Sequence, residues 1–155
     1  MERDESTIRI LNALTTFNIE NFNDRLRLQK LVFLARKMGF NAGYSFDWYL
    51  RGPYSPSLTR MLFSANDQDQ LIVDDYTLNV AERAVVERLT EFLHDDVESH
   101  RVLELLASVW YYIRRRVYSE DERQELLDEI NQKKPQYSRT EIERAFDRIM
   151  RYLEG

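Results

Sequence analysis

Two histidines and one pair of carboxylates are the side chains whose types could do chemistry in this sequence. His94 and His100 enclose an acidic run, and His94, Asp95 and His100 together offer donors that zinc accepts. Their spacing matches no ligand pattern, and a histidine at a helix end is ordinarily a surface residue. Asp74 and Asp75 are adjacent carboxylates between apolar neighbours, where the usual task of Asp is to hydrogen-bond a turn. The chain contains no cysteine, which removes thiol nucleophiles and disulfides. Its four glycines, Gly39, Gly43, Gly52 and Gly155, form no phosphate-cradling pattern. No serine is paired in sequence with a histidine in a way that suggests an activated nucleophile. The sequence therefore reads as non-enzymatic, with no catalytic residue, cofactor or metal site assigned.

Two stretches have the types suited to binding. Arg51-Gly52-Pro53-Tyr54-Ser55 is a sharp Gly-Pro corner that places Arg51 and Tyr54 at a contact surface, or else packs them locally. Trp110 to Tyr118 mixes three arginines, Arg114, Arg115 and Arg116, with three tyrosines. Basic residues among aromatics suit nucleic acid. Arginines late in a helix also suit its dipole, and the acid-rich segment after Ser119 supplies ion-pair partners.

The elements that position these residues follow from periodicity. Ile10, Leu11, Leu14 and Phe17 form one stripe and predict a helix over 7–17. Residues 24–38 are apolar on nearly every side, which predicts a central buried helix, capped by Asn23 or Asp24 and ended by Gly39. Tyr44, Phe46, Trp48 and Leu50 alternate with polar residues and predict a strand. Ser55-Pro56 then opens a short helix. Leu71–Leu78 reads as a hairpin around Asp74-Asp75, or as one strand pairing with 44–50. From Asn79 onward the chain is helical. Asn79…Glu82, Ser119…Glu122 and Ser138…Glu141 are three capping boxes. Residues 98–117 carry a long apolar stripe, which could also serve a homodimer.

The chain has 155 residues, 43% of them hydrophobic and 12% aromatic, enough for one domain with a real core. No apolar run approaches the length a membrane span needs. The charged start is not that of a signal peptide, and the cytoplasm is the expected compartment. Net charge is −5, which argues against a strong sequence-independent grip on nucleic acid. The charge is uneven. Residues 1–60 hold nine Lys/Arg and six Asp/Glu, whereas 61–155 hold thirteen and twenty-one. A basic first stretch leaves a local nucleic-acid face open.

Leu28-Gln29-Lys30-Leu31-Val32-Phe33-Leu34, followed by Phe46-x-Trp48-Tyr49 and Gly52-Pro53-Tyr54-Ser55, resembles the signature of the YwgA-like group of small prokaryotic proteins. That group is more distantly similar to the SocA-like (Panacea) antitoxin domains. Leu105–Tyr111 and the segment from Lys134-Pro135 through Tyr137-Ser138 to Glu141-Ile142 also look like it. The resemblance implies a protein-binding antitoxin or a related regulator, with no catalytic residue to carry over. The patch it implies is Gln29, Lys30, Arg51, Gly52, Pro53 and Tyr54.

These readings combine into one expectation. The fold is mainly α with a small β element, winged-helix-like over about 7–78, packed against a C-terminal helical bundle over about 79–155, as a single domain. The function is a non-enzymatic regulatory protein-binding module with an unidentified protein partner. The alternative is a winged-helix-type DNA-binding transcriptional regulator, with Ser57, Thr59 and Arg60 on the helix after Pro56 as groove readers.

Overall fold

Ten consecutive residues of the second helix, Leu26 to Ala35, are buried, and the first part of the chain is built around them. The computed structural model describes residues 2–114 and 116–155. Among these the protein is mainly α-helical with one small antiparallel sheet. The chain divides into two compact units, Met1–Glu104 and Leu105–Gly155. The helix α5 (His100–Tyr112) begins in the first and continues in the second.

The first unit opens with α1 (Glu2–Leu14) and α2 (Phe22–Lys37). Helix α1 starts five residues earlier than its stripe predicts and stops before Phe17. Buried Arg27 explains the stop. Its guanidinium donates to Thr15 Oγ1 at 3.0 Å, to the Thr16 carbonyl at 3.1 Å and to the Val97 carbonyl at 3.1 Å. Those bonds fix the linker in a non-helical path. The cap of α2 is Asn21, neither Asn23 nor Asp24. Its Oδ1 accepts from Asp24 N at 3.0 Å, while the Asp24 carboxylate takes Asn18 N and Arg27. Gly39 follows the helix at φ +104°.

Two short strands come next, β1 (Asp47–Tyr49) and β2 (Gly52–Tyr54), antiparallel with Trp48 opposite Pro53. Burial does alternate from Tyr44 to Trp48, but only three residues enter the ladder. Leu50, expected on the buried face, is 91% exposed because it sits in the two-residue turn. Residues 52–54 of the corner are themselves a strand, with Arg51 in the turn. Gly52 makes the reversal possible, with φ +88°. Gly52→Ala should destabilise the protein by about 1–2 kcal/mol, the cost of a left-handed L-residue. Urea midpoints check this, and Gly52→Asn should lose less, since Asn tolerates that region better than Ala.

Helix α3 (Pro56–Asp67) is capped by Ser55, whose Oγ accepts from Leu58 N, with Pro56 at the first position. Residues 71–78 form neither a hairpin nor a strand against 44–50. The side-chain amide of Asn12 supplies the pairing instead. It donates to the Leu71 carbonyl at 2.9 Å and accepts from Val73 N at 3.1 Å. Asp74 and Asp75 lie exposed at the bend. Helix α4 (Val80–Leu93) carries the Asn79/Glu82 capping box. A 3₁₀ turn over His94–Glu98 then leads into α5.

In the second unit α6 (Glu120–Lys133) and α7 (Arg139–Glu154) pair, each opened by its predicted capping box. Arg123 on α6 meets Asp147 and Glu143 of α7 at 3.0 and 3.3 Å. Of the apolar stripe expected over 98–117, Leu105, Leu106, Val109 and Trp110 of α5 and Ile113 just after it are buried in the single chain, whereas Val117 is 92% exposed. The helix ends at Tyr112, short of the expected 117, and the Tyr118 hydroxyl accepts the Arg114 N–H at 2.8 Å. Arg114 and Arg116 therefore lie beyond the helix, and Arg116 pairs with Glu122 at 2.5 Å. Arg115 falls outside the described residues.

Candidate functional site

The Gln-Lys of α2 and the Gly-Pro-Tyr-Ser of the hairpin meet, and the reason is hydrogen bonding. Gln29 grips the backbone of Ser55 in both directions. Its Oε1 accepts from Ser55 N and its Nε2 donates to the Ser55 carbonyl, both at 2.9 Å. The same Nε2 donates to Thr59 Oγ1 at 2.8 Å. One residue further, Lys30 is 0% exposed and its Nζ donates to the Pro53 carbonyl at 2.5 Å. Proline has no N–H to offer a neighbouring strand, so its carbonyl is the only backbone group at that position needing a partner. Tyr54 closes the far side. Its hydroxyl lies 2.7 Å from Thr59 Oγ1, and its ring stands edge-on to Tyr49 at 5.3 Å.

Above these bonds lies a cleft of about 380 Å³. Gln29 and Lys30 form its floor, and Tyr54 and Thr59 one wall. Tyr49, Leu50 and Arg51 of the hairpin tip face Phe22 and Arg25 at the start of α2. The rim is unusually apolar for a surface. Phe22 is 52% exposed and Tyr49 45%. Two guanidinium groups lie over the same ring, Arg25 at 5.7 Å and Arg51 at 5.3 Å from the Phe22 centroid. Arg25 also reaches the exposed Phe63 ring of α3 at 5.8 Å. Arg51 approaches buried Glu104 at 4.0 Å.

The six residues of the expected patch thus share one place but not one role. Gln29, Lys30, Gly52 and Pro53 are buried, so they cannot present side chains on an outer surface. They hold the hairpin on α2. Arg51 and Tyr54 keep exposed atoms. Phe22, Arg25, Tyr49, Leu50 and Phe63 were missed from sequence. An available signal was Phe22, an aromatic standing just inside a polar, Asn-rich linker at a helix start.

The alternative set is dispersed. Thr59 is engaged by Gln29 and Tyr54, and Ser57 Oγ lies 3.0 Å from Ser55 Oγ. Arg60 alone of the three is exposed. Among the described residues no three His, Cys, Asp or Glu side chains come close enough to hold a metal ion. His94 ends α4 at φ +50°, and His100 begins α5. No helix among the described residues is long and apolar enough to cross a membrane. Comparison of the chain with family models, curated proteins and solved structures returns no match.

Proposed function

We propose that this protein is a non-enzymatic, protein-binding regulatory module, antitoxin- or adaptor-like, and that its partner seats on the hairpin cleft. One observation carries the reading: exposed Phe, Tyr, Leu and Arg side chains surround a cleft whose floor is locked by internal hydrogen bonds. Aromatic residues and Arg dominate the energetics of protein interfaces. A locked floor lowers the entropy that binding must overcome. The absence of cysteine accords with action in the cytoplasm.

The winged-helix-like description of residues 7–78 draws on three helices and one hairpin in that stretch, but the hairpin precedes α3, whereas a wing follows the third helix. A DNA-binding regulator is the second reading, favoured by exposed Arg60 and the basic first sixty residues. It is the weaker one, because the hydroxyls of Ser57 and Thr59 are already engaged beside the cleft.

The test is purification of the tagged protein from its native cells, beside the variants Arg51→Glu and Leu50→Asp. Leu50 is 91% exposed, so Leu50→Asp should stay folded. Arg51→Glu sets a carboxylate beside buried Glu104, so its urea midpoint is measured alongside. Arg51→Gln, which removes the charge without reversing it, accompanies it. One stoichiometric protein that survives high salt with the parent chain, and falls about tenfold or more with each variant, is expected. Nucleic acid that leaves steeply as salt rises would favour the second reading.

A further inference from the structure

The cleft is lined by one sign of charge. Arg25 and Arg51 contribute two cations at its rim, with Lys30 buried beneath and bonded to the Pro53 carbonyl, and no carboxylate of the described residues lines it, on a chain of net charge −5. Glu104 touches Arg51 from within, yet the Arg51 side chain stays 53% exposed. Arg25 Nη1 already donates to the Ile19 and Glu20 carbonyls, whereas Arg51, lying over the Phe22 ring, keeps in-plane N–H donors for a carboxylate. Exposed apolar side chains extend beyond the cleft: Leu50 is 91% exposed at its edge, and Phe63, outside it, lies against Arg25 and is 39% exposed.

Given that this cleft is the partner site, we infer that it takes a short acidic stretch of polypeptide, bearing an aromatic or large aliphatic side chain beside its carboxylate. The apolar side chain enters among Phe22, Tyr49 and Leu50. The carboxylate meets Arg51 at the rim, where a charge-assisted and often bidentate hydrogen bond forms. A free small acid would fill the cleft and leave Phe63 in water, whereas a polypeptide continuing outward covers it. Nucleic acid fits less well. Guanidinium groups already lie over the Phe22 and Phe63 rings on which bases would stack.

The test uses the full chain, immobilised and panned against a phage-displayed library of random short peptides. The expected result is enrichment of peptides with Asp or Glu next to Phe, Tyr, Trp or Leu. A synthetic consensus peptide should bind about tenfold or more weakly to Arg51→Glu and to Leu50→Asp. Replacing its carboxylate by the amide should give a similar loss against the parent chain. Enriched peptides that lack acids, equal binding by Arg51→Glu, or no enrichment would each overturn the inference. So would a labelled DNA duplex or a free dicarboxylic acid that binds the parent chain and displaces the peptide in preference to it. Failure here with a native partner still lost in the two variants would sink the acidic assignment alone. Retention of that partner by both variants would sink the cleft reading itself.

Discussion

Replacing Lys30 by Ala is expected to cost the fold about 4 kcal/mol. The residue is wholly buried, and its Nζ donates to the Pro53 carbonyl. Two losses add. The four-carbon stem is packed like any core side chain, and truncating it leaves a cavity of the kind that costs roughly 2–5 kcal/mol. The Pro53 carbonyl is also left unpaired, at about 1–3 kcal/mol. Lys30→Met separates the two. It keeps most of the stem and removes only the donor, so about 2 kcal/mol is expected. Urea unfolding with an unchanged slope and a lower midpoint would register both losses. A Lys30→Ala chain as stable as the parent would show that the ammonium does not pin the hairpin.

Glu82 carries the second large effect. Its carboxylate accepts Arg9 Nη2 at 2.6 Å, Arg9 Nε at 3.0 Å, Ser6 Oγ at 2.5 Å and Asn79 N at 3.0 Å. The capping box of α4 and the junction with α1 are therefore one cluster. The Arg9 hydrogen bonds are the chief cause holding this carboxyl down to about 2, against the opposing pull of burial, with Ser6 and Asn79 helping. In the unfolded chain it titrates near its ordinary 4.5. A depressed carboxyl stabilises the fold fully above the unfolded value. That stabilisation fades as pH falls from about 4.5 toward 2, because the unfolded chain takes up the proton first. Its size is about 3 kcal/mol at neutral pH. Glu82→Gln should lose about that much at pH 7 and flatten the fall in stability below pH 4.5. Thermal melts across that range would check it. An acid limb identical in parent and variant would remove Glu82 from the account.

What the sequence disclosed depended on how local the cause was. Three capping boxes were legible because donor and acceptor lie three residues apart. Helix α2 was legible because its apolar side chains leave no face for water. Its cap was misplaced because three Asn and Asp residues compete there, and Asn18 and Arg27 draw Asp24 away. The second strand was hidden by Pro53, a residue that ordinarily argues against a strand, and whose carbonyl is paired by a lysine twenty-three residues earlier. Residues 71–78 look like a strand because their backbone does pair, but with a side chain fifty-nine residues away. The patch of Gln29, Lys30, Arg51 and Tyr54 was visible as a group. Its division into buried clamp and exposed rim was not, since Gln and Lys ordinarily stay in water. Phe22 joined it through Arg51 of the hairpin, and Phe63 through Arg25, contacts between residues far apart in sequence.

Amide hydrogen exchange on the purified complex, compared with the free chain, tests the central claim most directly. A partner seated on the cleft should add protection at the start of α2, residues 22–26, and across the hairpin, residues 47–54. Protection confined to Leu105–Gly155, with those two segments unchanged, would place the partner elsewhere and contradict the account.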